Sequence, residues 1–382
     1  MVQHCYEAAT AAKAAGRPVV GILCEYTPRE LVFAAGGLPV CLCGGDAGKI
    51  PAAEETLPAN LCPLIKSTFG YHATGTNPFL EMADLLVAET TCDGKKKMYE
   101  LMAEQRPMHV LELPQKPDDP AAFAHWRVEL EELRAELGRR FGADITDDRL
   151  REGIRLMNRE RALRRGLAGT LRRVPPPFTG RELLDLKSLI SGLPADLERY
   201  AAALKAVEAA PGRADLSDRV RVLLTGVPVV HGAERVVDLV EAHGGVIVCM
   251  ENCTGLKPIL DDVDADAPDP LGAIAEKYFH LPCSVMTPNR RRMELLKRLA
   301  VDYKVDAVIE LIWQACLTYD VESNRVKREV AADLGLPYLR IETDYSPSDS
   351  ARIAVRVEAL FETARSRSGG LAAAPFSPGS VA

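Results

Sequence analysis

Apolar runs and helical patterns alternate from the start of the chain. Residues 17–45 (RPVVGILCEYTPRELVFAAGGLPVCLCGG) open with an apolar run typical of a buried strand, which leads into a turn containing Cys24. A helical pattern begins near Pro28 and stops at Gly36 and Gly37, and a second apolar run follows. Strand, helix and strand in this order predict one βαβ unit of a parallel sheet.

The same order recurs in residues 83–114 (ADLLVAETTCDGKKKMYELMAEQRPMHVLELP). Strand 84–89 runs into Cys92, a helix begins near Gly94, and strand 108–113 closes the unit. A second βαβ unit therefore follows the first along the chain.

From about residue 118 the pattern changes to long charged stretches with apolar residues at helical spacing, which predicts a helical connector. The three prolines 175–177 interrupt it, and the helical pattern then resumes. Strand-rich texture returns in residues 218–255 and 304–344, each with a strand, a loop, a helix and a strand.

These patterns predict an α/β protein with two Rossmann-like (flavodoxin-like) parallel-sheet domains joined by a helical connector. We place the N-terminal α/β domain at 1–117, the connector at 118–215 and the C-terminal α/β domain at 216–365. Residues 366–382 are small, rich in Pro, Gly and Ser and poor in aromatic residues, so we expect a disordered tail. A length of 382 residues suits two or three such units.

Charge and hydropathy narrow the class of protein. The net charge is −7 at pH 7 and basic residues are concentrated only at 290–292, so a nucleic-acid role is not expected. No apolar run approaches the ~18 residues that span a bilayer, and the amino terminus lacks the apolar core of a secretion signal. We therefore expect a cytoplasmic protein, in which structural disulfides are rare and loop cysteines bind metals, catalyse or are simply buried.

Six of the ten cysteines come singly at the carboxyl ends of predicted strands. Spacings of about 30 residues, roughly one βα unit, separate neighbouring members within each half of the chain. Because a parallel sheet gathers its strand ends at one edge, these thiols can converge on one inorganic centre. The six are Cys24, Cys62, Cys92, Cys253, Cys283 and Cys316.

Two simpler interpretations compete with such a centre. Structural zinc usually takes pairs of ligands two to four residues apart, and the spacing of Cys249 and Cys253 makes a poor zinc site. A free thiol is most often a small core hydrophobe. We expect that role for Cys41, Cys43 and Cys249, which lie in apolar strand runs, and for Cys5, which lies near a terminus that nothing anchors.

Iron–sulfur chemistry suits the other six positions. Thiolates ligate iron, and free backbone N–H groups at the following helix starts can donate to cluster sulfur and offset its negative charge. Six thiolates are too many for one four-iron cubane and too few for two complete ones. Either two three-thiolate cubanes share a bridging ligand, or only some of the six are ligands.

Several phrases of the sequence together resemble the 2-hydroxyacyl-CoA dehydratase and benzoyl-CoA reductase superfamily, most closely its double-cubane cluster proteins. The resemblance covers most of residues 17–365 and is weakest in the connector. The phrases are CEYTPRELVFAAGGLPVCLCGG, CPLIKSTFGY, DLLVAETTCDGKKKMYELM, ENCTG, PCSVMTPNRRR and RIETDYSPSD.

The resemblance implies the ligands of the centre. In the dehydratase branch three cysteines hold one cubane, and the matching positions are Cys62, Cys92 and Cys316. The double-cubane branch has six, which implies two [4Fe-4S] units joined by one bridging sulfide in an [8Fe-9S] centre. The additional ligands would be Cys24, Cys253 and Cys283.

The resemblance also implies an electron supply from a separate homodimeric ATPase that carries its own [4Fe-4S] cluster. This sequence contains no G-x-x-x-x-G-K-[ST] phosphate loop, so we expect the partner to use the ATP. The lysines at 95–97 fit a solvated helix start better than a nucleotide site. The family pairs two such subunits, and we expect a two-fold homodimer.

The expected function is that of an ATP-dependent iron–sulfur oxidoreductase, which reduces a small unsaturated molecule with electrons supplied through the partner. One alternative is a lyase, a 2-hydroxyacyl-CoA dehydratase subunit with a single [4Fe-4S] cluster, and another is a non-catalytic electron carrier or cluster store. Protons must accompany the electrons, although each candidate relay side chain could instead be solvated or only pack. The candidates are Glu25, Tyr26, His72, Glu89 and His231, of which His231 would be tested first.

Overall fold

The computed structural model describes residues 2–370, and the side chains of 2–367. It contains two parallel four-stranded sheets, with strand orders β2-β1-β3-β4 and β6-β5-β7-β8. The first sheet consists of β1 (Val19–Ile22), β2 (Leu38–Cys41), β3 (Leu85–Glu89) and β4 (Met108–Leu111). The second consists of β5 (Val220–Gly226), β6 (Gly245–Met250), β7 (Ala307–Trp313) and β8 (Tyr338–Thr343). The two sheets share one topology, so the prediction of two Rossmann-like halves is confirmed.

Helices cover both sheets and fill the stretch between them. Those of the first half are α1 (Val2–Ala14), α2 (Arg29–Ala34), α3 (Ile50–Glu54), α4 (Pro63–Thr74), α5 (Pro78–Met82) and α6 (Asp93–Ala103). The connector contains α7 (Pro120–Phe141), α8 (Asp147–Thr170), α9 (Gly180–Asp185) and α10 (Pro194–Ala209). The second half adds α11 (Arg235–Ala242), α12 (Pro270–Phe279), α13 (Arg290–Asp302), α14 (Leu317–Arg325) and α15 (Ser350–Gly370). Within residues 2–370, no helix has both the length and the apolar character needed to cross a membrane.

The long connector helices have well-defined ends. The Asp119 side chain accepts a hydrogen bond from the backbone N–H of Ala121 at the start of α7, and Gly142 ends that helix at a φ of 62°. Thr146 caps the start of α8 in the same way. A side-chain oxygen before a helix satisfies a free N–H donor, and a left-handed residue after it favours glycine.

Helix α8 joins the two halves through buried charges. Arg161 of α8 donates a hydrogen bond to Glu30 of α2, and the Tyr278 hydroxyl of α12 donates to the same carboxylate at 2.8 Å. All three side chains are essentially inaccessible to solvent. The connector is therefore part of the core that sets how the two sheets face each other.

The connector also extends the first sheet. Ile190 forms an antiparallel bridge with Val40 of β2, and the Leu189 carbonyl accepts the backbone N–H of Cys41 at 2.8 Å. This contact brings the segment that follows α9 to the carboxyl end of β2.

The amino terminus departs from expectation because it is anchored. Cys5 lies in α1, is fully buried, and its Sγ is 3.3 Å from Ser188 Oγ. At the other end, residues 366–370 of the expected tail continue α15, and residues 371–382 lie outside the described residues.

Candidate functional site

The carboxyl ends of both sheets face one cavity of about 770 Å³. In open parallel sheets the crevice for ligands lies outside the strand ends, where the strand order reverses, and here β1 and β3 flank that point. The volume lies in the range of ~300–1,000 Å³ usual for ligand and cofactor sites. All six predicted cysteines line the cavity: Cys24, Cys62, Cys92, Cys253, Cys283 and Cys316.

Four of the six cysteines follow strands, as predicted. Cys24 follows β1, Cys92 follows β3, Cys253 follows β6 and Cys316 follows β7. The prediction is wrong for Cys62 and Cys283. Cys62 directly precedes α4, and Cys283 lies between α12 and α13. The connection from β2 to β3 and that from β6 to β7 each contain several helices, so a spacing of 30 residues does not mark one simple βα unit.

Three of the thiols stand at the starts of helices. Cys62, Cys92 and Cys316 are the N-cap residues of α4, α6 and α14, and we call them the helix-cap trio. Backbone N–H groups of the first turns point toward negative charge at these caps and act to lower the pKa of each thiol. The donors are those of Leu64 and Ile65, of Gly94 and Lys95, and of Tyr319. Three helix N-termini therefore favour negative charge at one place.

Members of the helix-cap trio also act on one another. Interaction between the neighbouring Cys62 and Cys316 thiols raises the pKa of Cys316 and lowers that of Cys62. Burial raises the pKa of Cys92, and the charge of Cys62 raises it further. The three thiols therefore lie near enough to influence one another's charge, although their sulfurs do not all lie within 4.8 Å of one another.

The other three cysteines form a second group, the loop trio, which consists of Cys24, Cys253 and Cys283. Burial raises the pKa of Cys24, and the charges of Cys253 and Cys283 add to that effect. Burial likewise raises the pKa of Cys253, with a further contribution from Cys283. Each trio thus combines cysteines from both halves of the chain, so neither half provides a complete set.

Two further thiols line the same cavity. Cys41 and Cys43 were expected in the core, but both are half-buried and belong to the cavity wall. The expectation fails because β2 ends at Cys41, so the following residues lie at the open edge of the sheet. The Cys43 thiol donates to the Leu23 carbonyl at 3.4 Å. Cys249 is buried within β6, as expected.

Charged groups line one side of the cavity. Arg29 pairs with Glu25 at 2.6 Å. Burial alone would raise the pKa of Glu25, but Arg29 and, to a smaller degree, Lys187 outweigh it and the pKa is lowered. Lys187 comes from the connector segment beside β2 and also lines the wall. Glu25 is therefore ionised near neutral pH.

Sequence reasoning missed a buried network of charged residues. It lies behind the part of the cavity wall that the C-terminal half of the chain provides. Lys257 Nζ donates to the hydroxyl of Tyr319, a wall residue, at 2.8 Å and lies 3.4 Å from Glu251. Arg292 contacts Glu251 at 3.4 Å and also pairs with Glu310 and Glu322. The only signal in the sequence is that Tyr319 follows Cys316 by one helical turn.

The proton-relay candidates divide by location. Glu25 lines the cavity, whereas Tyr26 is buried behind it and its hydroxyl donates to the Leu281 carbonyl at 3.2 Å. Glu89 is fully buried at the end of β3, accepts a hydrogen bond from Thr27, and has no partner at Oε2 among the described residues. Burial raises the pKa of Glu89 to about 7.

The two histidine candidates lie outside the cavity wall. His72 is buried in α4, where its Nδ1 accepts a hydrogen bond from Arg106 Nε at 2.9 Å. His231 is two-thirds exposed and lies 3.2 Å from Glu234. Its backbone carbonyl packs against Gly45, where any Cβ would clash. Neither imidazole therefore lines the cavity.

The donor set fits an iron–sulfur centre better than zinc. Eight thiols surround the cavity, and thiolates are the usual ligands of iron in such clusters. Among residues 2–370, the one group whose three ligand atoms all lie within 4.8 Å of one another is Glu112, His125 and Glu129, which is not part of the wall. The thiols are spread around a volume instead of meeting at a point.

Comparison with known proteins places the chain among enzyme components. The family model described as 2-hydroxyglutaryl-CoA dehydratase, D-component, matches residues 24–364. The YjiM protein of Escherichia coli (strain K12), which carries the name of a dehydratase subunit, is 41% identical over 360 residues, 92% of each chain. The (R)-phenyllactyl-CoA dehydratase beta subunit of Clostridium sporogenes is 22% identical over 361 residues, 91% of this chain and 92% of that one. One component of the benzoyl-CoA reductase of Thauera aromatica is 27% identical over 216 residues, 55% of each chain.

Proposed function

The chain belongs to the family of the 2-hydroxyglutaryl-CoA dehydratase D-component, and from that premise we propose that it carries an [8Fe-9S] double-cubane centre and reduces small unsaturated molecules. The observation that carries the proposal is the arrangement of two cysteine trios, each drawn from both halves, around one cavity. A single four-iron cubane would use the helix-cap trio alone. The loop trio then has no evident purpose.

The proposed centre would supply low-potential electrons, one at a time, to a substrate bound in the cavity. The helix-cap trio would hold one [4Fe-4S] unit, with three helix N-termini offsetting its negative charge. The loop trio would hold the other. Cys41 and Cys43 remain free thiols in the wall under this proposal.

Protons have to reach the cavity along with the electrons. Glu89 suits a proton reservoir, because its pKa of about 7 lets it hold or release a proton near neutral pH. Its charge also raises the pKa of Cys24, which supports a position close to the loop trio. Tyr26 instead holds the Leu281 carbonyl, and ionised Glu25 keeps Arg29 in the wall.

Electrons would come from a separate ATP-hydrolysing [4Fe-4S] reductase, and the chain would work as a homodimer beside it. The absence of a phosphate-loop motif from the sequence supports the assignment of ATP to that partner. Mixing the anaerobically purified chain with such an ATPase and ATP should bleach the visible absorbance of the centre. Bleaching that does not depend on ATP would contradict this electron supply.

A second candidate function is that of a 2-hydroxyacyl-CoA dehydratase subunit with a single [4Fe-4S] cluster. The names of the similar dehydratase subunits favour it. The two candidates predict different effects of serine substitutions in the two trios. Cys283→Ser and Cys316→Ser should each lower the iron content if the centre is a double cubane, whereas only Cys316→Ser should do so in a dehydratase subunit. Retention of full iron by Cys283→Ser would overturn the double-cubane proposal.

A further inference from the structure

One ammonium group in the cavity wall is linked to the chain segments of both cysteine trios. Lys95 is on the first turn of α6, three residues after Cys92 of the helix-cap trio. Its Nζ donates to the carbonyl of Leu23 at 2.9 Å, and Leu23 directly precedes Cys24 of the loop trio. Lys95 therefore connects a segment of the helix-cap trio with a segment of the loop trio. Cys24 and Cys92, the cysteines of these two segments, are 68 residues apart in sequence.

The ammonium belongs to the cavity and not to the solvated helix start expected from the sequence. Lys95 is half-buried and lines the wall, whereas its neighbours Lys96 and Lys97 are exposed. An ammonium has three N–H donors, and one of those on Lys95 is used by the Leu23 carbonyl. Within residues 2–370 the other two have no acceptor, so they remain for whatever fills the cavity.

The charge of Lys95 acts on both trios. The Lys95 charge acts to lower the pKa of both Cys24 and Cys92. Burial has a larger effect in the opposite direction, so the pKa of each thiol is raised overall. The Lys95 charge also acts to lower the pKa of Cys62, on which the neighbouring Cys316 thiol has the largest effect. Burial tends to lower the pKa of Lys95 itself, but the surrounding Tyr99 and cysteine thiols outweigh it, so the ammonium stays charged.

We propose that Lys95 compensates the charge of the bound centre where its two units meet and donates hydrogen bonds to sulfur there. This inference rests on the proposed double-cubane function. Net charge and hydrogen bonds to sulfur are among the factors that set the reduction potential of an iron–sulfur centre. Each added electron makes the centre more negative, so a nearby fixed positive charge favours the reduced state and raises the potential.

The test compares four anaerobically purified full-length proteins: wild type, Lys95→Met, Lys95→Arg and Lys96→Met. Methionine keeps the length of the side chain without its charge, and arginine keeps the charge. Lys96 is the matched control, since it is on the same helical turn, is about half exposed, and pairs with Asp93 at 2.7 Å. Iron and sulfide are counted for each protein, and the reduced fraction is followed by electron paramagnetic resonance during a redox titration.

At the wild-type midpoint potential, Lys95→Met should lower the ratio of reduced to oxidised centre about tenfold, which is about 59 mV for a one-electron step. Lys95→Arg should stay close to wild type, and Lys96→Met should not change. Equal titration curves for Lys95→Met and Lys96→Met would overturn the inference.

Iron content decides the remaining cases. Loss of iron in Lys95→Met with full iron in Lys95→Arg would support the inference, because it assigns the effect to the charge. Loss in both variants would overturn it, since shape would then matter more than charge. Wild-type protein with only four irons would instead contradict the double-cubane function itself.

Discussion

The buried contact between Glu30 and Arg161 should be essential for holding the two halves around the cavity. Arg161→Met removes the positive charge and keeps most of the side-chain volume. The Glu30 carboxylate is then left in a site with no solvent exposure, with the Tyr278 hydroxyl at 2.8 Å as its remaining strong donor. We expect a large loss of stability, because an unpaired buried charge is expensive.

The size of the effect follows from the burial of the pair. Removing one partner of a buried ion pair costs about 3–5 kcal/mol, and the hydrogen bond that Tyr278 keeps with Glu30 places this case near 3 kcal/mol. For a single cooperative unit of about 370 residues, an unfolding entropy of roughly 2.1 cal/mol/K per residue makes each kcal/mol worth roughly 1.3 °C in Tm. Arg161→Met should therefore lower the Tm by about 4 °C.

Thermal and urea unfolding of Arg161→Met should be compared with Arg155→Met, a control on the same helix. Arg155 is more than half exposed and lies 3.7 Å from exposed Asp266, so its loss should cost under about 1 kcal/mol. The double variant Glu30→Gln/Arg161→Met should recover at least about 1 kcal/mol relative to Arg161→Met, since no buried charge remains unpaired. Equal stability of the Arg161→Met and Arg155→Met proteins would refute the reasoning.

The pH dependence gives a second check on the same pair. Burial alone would raise the pKa of Glu30, but Arg161 outweighs it and the pKa is lowered. A carboxyl group with a lowered pKa in the folded state contributes stability at neutral pH that is lost as the pH falls below about 4. This acid-dependent loss should disappear in Arg161→Met, as measured by urea midpoints between pH 3 and 7.

Three further predictions concern the cavity. Cys41→Ser should leave the iron content unchanged, because Cys41 belongs to neither trio; a loss of iron would make it a ligand. Glu89→Gln should flatten the dependence of urea midpoints on pH between about 5 and 7. In the folded wild-type protein the buried Glu89 carboxyl is still protonated in this pH range, whereas in the unfolded chain it is ionised. Stability therefore falls as the pH rises through this window. An unchanged slope in Glu89→Gln would refute the assignment. His231→Ala should leave ATP-dependent turnover unchanged, because the imidazole is exposed outside the cavity wall; slower turnover would restore it as a relay.

The fold could be predicted largely from local patterns. Apolar strand runs, the helix start near Pro28 and the glycines at 36 and 37 predict the first βαβ unit closely. The positions of Cys24 and Cys92 at strand ends also follow from the sequence, because parallel strands place their carboxyl ends at one edge. Cys62 and Cys283 needed the structure, since nothing local reveals how many helices a crossover contains.

The charged part of the site could not be predicted, because it depends on contacts between distant segments. The sequence around Lys95 is that of an ordinary solvated helix start, and only the Leu23 carbonyl, 72 residues earlier, turns this lysine toward the cavity. The network of Tyr319 and Lys257 likewise depends on residues 62 apart in sequence. The exposed position of His231 outside the cavity wall was not evident from the sequence either, since a polar residue in a strand-to-helix loop need not face the ligand.

Iron and acid-labile sulfide per chain, measured on anaerobically purified wild-type protein, test the central claim most directly. If the two cysteine trios together ligate one [8Fe-9S] double-cubane centre, the protein should contain about eight irons and nine sulfides per chain. About four irons, or none, would contradict the account.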